Sequence, residues 1–228
     1  GGGLSIVRAL VEQLQVERLE VVSTALREGI LVEFLGRGLA GDVRERTVGR
    51  FMDRFQINAA QARRVSETAQ QIYGSVAPSL GWSDAEWPVL LRWAALLHEV
   101  GLFMGYPGHH KHGAYLLANA FMAGFSRQEQ EVLAGLVMAH RGRFALERVE
   151  EMLEDRHVPI ELCMVLRLAV RLHRRRSPSP LPDYRVSADH ERFLIQVDEN
   201  WLSERPLTRK DLQLEQQEWA RAGIRLDL

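Results

Sequence analysis

The sequence has little of several features that define large protein classes. Its 228 residues include one cysteine, Cys163, so an intramolecular disulfide is excluded, and the apolar run around it indicates a buried, unreactive thiol. No run of about 18 apolar residues exists, which argues against a helical membrane span. The first ten residues lack the charged start of a signal peptide. We therefore expect a cytoplasmic protein.

An excess of charge of one sign is also missing. The chain carries 29 Lys and Arg against 30 Asp and Glu, for a net charge of -1. Because there is no overall basic excess, nucleic acid is not an expected partner, and any site for a polyanion must come from local clustering of cations. Hydrophobic residues make up 46% of the chain, as in globular proteins long enough for one large domain or two smaller ones.

Helical spacing of apolar residues dominates the middle of the chain. Asn58 stands where it can cap a helix that follows the i, i+3, i+4 rule. Capping boxes are predicted at Ser83–Glu86 and Ser126–Glu129. Because the ring of Pro88 would clash with the carbonyl of Asp84, a turn is predicted at Ser83 and the regular helix near Trp87. Leu90–Val100 is apolar nearly all round, so we predict that it forms the central buried helix.

The two ends of the chain differ from this middle. Residues 1–38 are predicted to form a helix–strand–helix unit, which cannot bury its single strand alone and therefore belongs to a larger α/β domain. The basic, proline-rich segment 174–182 is predicted to be an irregular linker. Strands are predicted at Tyr184–Ala188 and Arg192–Val197, followed by a helix and a last strand. The predicted fold is mainly α, with a helical domain at residues 39–180 and a small α/β domain at residues 181–228.

Histidines are concentrated in one stretch. Five of the eight lie between Leu90 and Arg143, namely His98, His109, His110, His112 and His140. Most lie near the ends of apolar helical runs, so a helical core is expected to bring them to one pocket. His98 and Glu99 suit metal ligation, and they equally suit a structural pair with the imidazole bonded to a backbone carbonyl. Without a rigid ligand spacing, metal binding, anion binding and a structural role all stay open.

Three ordered motifs carry a family resemblance. ALLHEVG at 95–101, HHKHGAYLL at 109–117 and AHRG at 139–142 resemble the C-terminal half of the exopolyphosphatase / guanosine pentaphosphate phosphohydrolase (Ppx/GppA) family. The helical module of that family is related to the HD domain. TALREGIL at 24–31 is similar to the end of its actin-like (ASKHA) phosphatase domain, and VLRLAV at 165–170 to its late helix. The resemblance implies an HD-like domain preceded by a remnant of the actin-like domain.

The resemblance also bears on metal binding. An HD phosphohydrolase holds its metal with an early histidine, a His-Asp pair and a late aspartate. Alignment with that pattern places Gln61, the pair His98-Glu99 and Val170 at these positions. Because two ligands are missing and a third is changed, we expect a metal-free module without catalytic residues. The alternative is an active metal-dependent nucleotide phosphohydrolase, whose ligands would be His98, Glu99, His112 and His140.

The resemblance implies hydrolysis of inorganic polyphosphate from its end by the full-length protein, with guanosine pentaphosphate phosphohydrolysis as the alternative activity. The catalytic carboxylates and Mg²⁺ would belong to N-terminal actin-like domains outside this chain. This part is expected to bind polyphosphate and support a homodimer, without hydrolysing anything alone. A pure interaction module with a structural histidine pocket is the third hypothesis. The expected polyphosphate-binding residues are Arg27, His110, Lys111, His112, His140 and Arg141.

The chemistry expected of that site is cationic. Arginines bind phosphate through bidentate, charge-assisted hydrogen bonds, and histidines gain charge as the pH falls. Arg174–Arg176 would either add to such a site or form a solvated helix end that favours the negative end of the helix dipole.

Overall fold

The computed structural model describes Arg8, Ala9, residues 11–13, Gln15, residues 42–189 and residues 192–228. The chain divides into two compact units, Gly1–Asp42 and Val43–Leu228. The predictions for residues 1–38, including Arg27 and the actin-like remnant, fall almost entirely outside the described residues. The domain boundaries at residues 38 and 180 stay predictions.

The second unit is mainly helical, as predicted, with one small sheet. Its elements in chain order are α1 (Val43–Arg54), α2 (Ala59–Val76), α3 (Glu86–Leu97), a 3-10 helix (Val100–Phe103), α4 (His109–Asn119), α5 (Arg127–Ala139), α6 (Leu146–Glu154), α7 (Glu161–Leu172), β1 (Tyr184–Ala188), β2 (Arg192–Val197), α8 (Glu199–Ser203), α9 (Pro206–Ala220) and β3 (Arg225–Asp227). Among the residues described, no helix combines the length and the apolar character that crossing a membrane requires. The short helices α6 and α8 were not predicted from the sequence.

The core lies around α3, α5 and α7. Leu90, Leu91 and Leu97 of α3 are fully buried, as the apolar character of this run predicts. In α5 every residue from Val132 to Ala139 is buried, and α7 is buried along most of its length. The histidines that directly follow these helices, His98, His140 and His173, are buried as well.

Two of the predicted helix caps are confirmed. The side chain of Asn58 accepts a hydrogen bond from the backbone N–H of Gln61 at 2.9 Å and begins α2. At the start of α5 the Ser126 N–H donates to the Glu129 carboxylate at 2.6 Å, and the Glu129 N–H donates to the Ser126 hydroxyl at 3.2 Å. These reciprocal bonds satisfy backbone donors that the first helical turn leaves without partners.

The capping box predicted at Ser83–Glu86 is wrong. Helix α3 begins at Glu86, whose backbone N–H donates to the Asp84 carboxylate at 2.7 Å. Pro88 explains the late start, because its ring would clash with the carbonyl of Asp84 if the helix began a turn earlier.

The C-terminal part contains both predicted strands at their predicted bounds. β1 pairs antiparallel with β2, with Val186 opposite Ile195, and β2 pairs parallel with the short β3. The segment 174–182 is irregular, as predicted. The sheet packs against α2, where the Tyr184 hydroxyl donates to the Gln71 side chain at 2.7 Å, and α9 packs against α7.

Candidate functional site

Three core helices end at one cavity of about 390 Å³. His98 directly follows α3, His140 follows α5 and His173 follows α7, while His109 is the first residue of α4. All four histidines line this space, which we call the histidine cavity. A buried helical core thus brings polar groups together, as the sequence predicts.

One side of the histidine cavity, the histidine wall, consists of His98, His109 and His140. The Nδ1 atoms of His98 and His140 each lie 2.6 Å from the carbonyl oxygen three residues earlier, at Ala95 and Val137. These nitrogens must carry the proton, because a carbonyl oxygen only accepts. The two rings meet edge to face at 5.4 Å between centroids. The bond from His98 to a backbone carbonyl confirms the structural contact that the sequence suggested.

Burial keeps these histidines uncharged. Desolvation lowers the pKa of His98, although the adjacent Glu99 opposes the shift. Desolvation, followed by the charge of His98, lowers the pKa of His140 well below its usual value. Burial and then the charges of His109 and Arg141 lower the pKa of His110 to about 4. The expectation that these histidines gain charge on mild acidification is therefore wrong for this cluster.

Arg141 lies beside the histidine wall. Its guanidinium stands 5.3 Å from the centre of the Tyr106 ring, and its Nη1 lies 3.2 Å from Nδ1 of His109. The same Nδ1 is 3.1 Å from the Tyr106 carbonyl, so it either donates to this carbonyl or accepts from Arg141. Within residues 42–189 and 192–228, no carboxylate forms an ion pair with Arg141. Its charge therefore faces the histidine cavity without a described counter-ion.

A second part of the cavity lining, the arginine wall, consists of Arg171, Arg174 and Arg176. Arg176 binds both carboxylate oxygens of Glu99, one of them at 3.2 Å, and Arg174 binds Asp211. Arg174 and Arg176 line the cavity and are paired with carboxylates, so they are not merely solvated residues at a helix end.

Arg171 has a partner behind the cavity. Its Nε and Nη2 bind Glu215 at 2.8 and 2.7 Å. Asp211, which binds Arg174, lies 3.8 Å from Arg171. With Arg141 included, four arginines and the two carboxylates of Glu99 and Asp211 line the cavity, which leaves it cationic when its histidines are neutral.

The positions compared with an HD metal set line this same cavity. Gln61 donates to the His173 carbonyl at 3.0 Å and accepts from Arg64 at 2.8 Å, Glu99 is bound by Arg176, and Val170 cannot coordinate an ion. No three His, Cys, Asp or Glu side chains in the described part of the chain are arranged to hold a metal. Of the alternative metal set, His98, Glu99 and His140 line the cavity, whereas His112 does not.

Comparison with known proteins identifies the family. The model of Ppx/GppA phosphatase, domain III, matches residues 43–216. The chain belongs to the Ppx/GppA family. The guanosine-5'-triphosphate,3'-diphosphate pyrophosphatase of Pseudoalteromonas translucida is 32% identical over 231 residues, 98% of this chain and 45% of the relative. Its namesakes in Aeromonas hydrophila and Aeromonas salmonicida are 32% and 31% identical over 97% of this chain and 45% of each relative. The chain thus spans about half the length of these relatives, and the family resemblance seen in the motifs is confirmed.

The Ppx/GppA motifs indicated the cavity but not all of its residues. Of the six expected binding residues, His140 and Arg141 line it. His110 lies behind them, with its ring 6.3 Å from that of His140 and its Nδ1 buried without a described hydrogen-bond partner. Lys111 is exposed and His112 is half-buried on α4, and neither lines the cavity; Arg27 lies outside the described residues.

Several lining residues were missed by the sequence analysis. Tyr106, Arg171, His173 and Asp211 line the histidine cavity, although no motif singled them out. Arg171 did carry a signal, because it is a charge in an apolar run, four residues after the equally unusual Arg167. A charge buried in an apolar helix requires a partner, and the sequence does not reveal which carboxylate supplies it.

Proposed function

We propose that this chain is the C-terminal part of a phosphatase that hydrolyses guanosine-5'-triphosphate,3'-diphosphate. The histidine cavity contributes to holding the phosphate groups of that nucleotide. The names of the relatives support this substrate, and the cationic lining supports the role in binding. The hydrolytic carboxylates and their Mg²⁺ belong to the actin-like domains of the same protein, and two copies of the protein form a dimer.

Arg141 is the observation that carries the binding role. The other arginines of the cavity are already engaged by Glu99, Asp211 and Glu215, whereas Arg141 has no described carboxylate partner. A phosphate group offers the paired oxygens that a guanidinium binds best. Tyr106 and His109 already order the Arg141 side chain, so little conformational entropy is lost when phosphate binds.

Isothermal titration of the nucleotide into the 228-residue chain and its Arg141→Ala variant tests this role. Losing a charge-assisted hydrogen bond should weaken binding about 10- to 100-fold. Arg143→Ala is the matched control, because Arg143 carries the same charge two residues later, is exposed, and does not line the cavity. Equal losses in the two variants would show that only the general positive charge matters and would overturn the proposed site.

Hydrolysis of inorganic polyphosphate is the second candidate. A second cavity shares His173 and Arg176 with the histidine cavity and is also lined by Arg175 and Arg205. These additional arginines favour a linear chain of phosphates as the ligand. Competition titration separates the candidates: polyphosphate must displace the guanine nucleotide at equal phosphate concentration if it is the preferred ligand.

The assignment of catalysis to other domains has its own test. The 228-residue chain with Mg²⁺ should release no orthophosphate from polyphosphate or from the guanosine nucleotide. Measurable, protein-dependent phosphate release from the purified chain would contradict that assignment. Sedimentation of the same sample tests the dimer, since a monomer at micromolar concentration would show that this part alone does not support it.

A further inference from the structure

Helix α9 presents one continuous face to the elements that build the histidine cavity. Asp211, Glu215, Glu218 and Trp219 recur at the spacing of neighbouring turns, so they lie on the same side of the helix. Glu215 and Trp219 are fully buried, and Asp211 is nearly so. Three carboxylates on a mostly buried helix face must be paired to be tolerated, which makes their partners informative.

Glu215 acts on the turn that carries Arg141 through another buried residue. Arg167 of α7 is fully buried and binds both oxygens of Glu215, one of them at 2.8 Å. The same guanidinium donates to the carbonyl of Ala139 and, at 3.0 Å, to the carbonyl of Gly142. These two carbonyls lie on either side of His140 and Arg141 in the chain. One charged group therefore holds both ends of the turn from which Arg141 projects.

A second connection holds the same turn further along. The backbone N–H of Phe144 donates to the Glu218 carboxylate at 2.8 Å. The Phe144 ring packs on the ring of Trp219, with centroids 4.7 Å apart at an angle of 32°. Residues 139–144 therefore contact α9 through Arg167, through Glu218 and through Trp219.

The arginine wall is bound to this helix face directly. Glu215 accepts hydrogen bonds from Arg171 at 2.8 Å, and Asp211, one turn earlier, binds Arg174. Of the four arginines that line the histidine cavity, two are thus paired with α9, and Arg141 is connected to it through Arg167. Arg176, paired with Glu99, is the exception.

We infer that α9 is the positioning element of the phosphate site, and that Glu215 and Glu218 are positioning residues that act through the 139–144 turn on Arg141. The inference rests on the proposed phosphate-binding role of Arg141. It gives the C-terminal region a role in recognition even though most of these contacting residues do not line the cavity. Movement of α9 would change the affinity of the site without touching the ligand.

A double-mutant cycle between Glu218→Ala and Arg141→Ala tests this inference by titration of guanosine-5'-triphosphate,3'-diphosphate into the 228-residue chain. Glu218→Ala removes one hydrogen bond to the turn, together with an ion pair to Arg221 at the end of the same helix, and should weaken binding about 3- to 10-fold. In the Arg141→Ala background the same change should have no further effect, because a positioning residue has nothing left to position. A purely structural role would give the same loss in both backgrounds.

Gln216→Ala is the matched control on the same helix. Gln216 donates to the Leu226 carbonyl at 2.9 Å, a side-chain-to-backbone bond that leads to β3 and away from the cavity. The Gln216→Ala variant should bind the nucleotide with unchanged affinity. In thermal denaturation it should lose stability to a similar extent as Glu218→Ala.

The possible outcomes separate the two proposals. If Arg141→Ala binds the nucleotide as the wild type does, the proposed phosphate site fails. If Arg141→Ala weakens binding but Glu218→Ala does not, or does so equally in both backgrounds, the positioning role alone fails.

Discussion

The histidine wall and the arginine wall face the same cavity but are held in different ways. His98 and His140 bond to carbonyls three residues earlier in the chain, so each is fixed by its own helix end. Arg174 and Arg176 are fixed by carboxylates 37 and 77 residues away in the chain. The hydrogen bonds that orient His98 and His140 are local, whereas those that hold Arg174 and Arg176 form only when distant segments are packed together.

The histidine wall and the arginine wall also differ in charge state. Burial with few counter-ions leaves the histidines neutral, because desolvation disfavours the imidazolium form. The arginines stay charged and obtain carboxylate partners. Electrostatic attraction for a phosphate therefore comes from the arginines, including Arg141, and the histidines shape and order the site beside them.

The largest expected effect comes from breaking a long-range ion pair, that between Glu215 and Arg167. Glu215→Gln removes the carboxylate that neutralises the fully buried Arg167 and should lower the free energy of unfolding by about 3–5 kcal/mol, because an uncompensated charge remains in the core. Urea denaturation measures it. Glu199→Gln is the control, since its pair with Arg209 is exposed and contributes about 0–1 kcal/mol. Equal losses of unfolding free energy in the two variants would mean that the buried ion pair contributes no more to stability than the exposed one.

Acidification should distinguish the neutral histidines from exposed ones. The folded-state pKa values of His110 and His173 are lowered to about 4, mainly by burial, from an ordinary value near 6.5. Between these values the unfolded chain binds more protons, so the free energy of unfolding should fall as the pH drops from about 6.5 to about 4.

Denaturation curves at several pH values measure this loss. His110→Gln should reduce the slope of stability against pH in that window, whereas His157→Asn, at an exposed position, should leave it unchanged. A wild-type protein whose stability is constant from pH 6.5 to 4 would contradict the lowered pKa values of His110 and His173.

The smallest expected effect is that of metal removal. If Arg176 engages Glu99 and no metal set forms, treatment with a chelator should leave the melting temperature and the nucleotide affinity unchanged. Elemental analysis completes the test. The alternative, a metal-dependent phosphohydrolase, would be favoured by a stoichiometric transition metal whose removal lowers the melting temperature. The same metal should then be absent from the His98→Ala variant.

Local features were predicted well because their causes lie within a few residues. The Asn58 cap, the box at Ser126 and the bounds of β1 and β2 follow from hydrogen bonds and alternation between near neighbours. At Ser83 the capping box was wrong, but the helix start expected near Trp87 because of Pro88 agrees with the observed start at Glu86. The short helices α6 and α8 carry patterns too short to stand out from the surrounding segments.

The sequence by itself determined the family, the helical core and the place where its polar residues gather. His140 and Arg141 were identified because they stand in a motif at a helix end. Only the tertiary structure decided that the histidines are neutral and that Arg171, Arg174 and Arg176 line the same cavity. The physical reason is that desolvation and ion pairing depend on which segments meet in space, and Glu215 reaches its arginines across more than forty residues of chain.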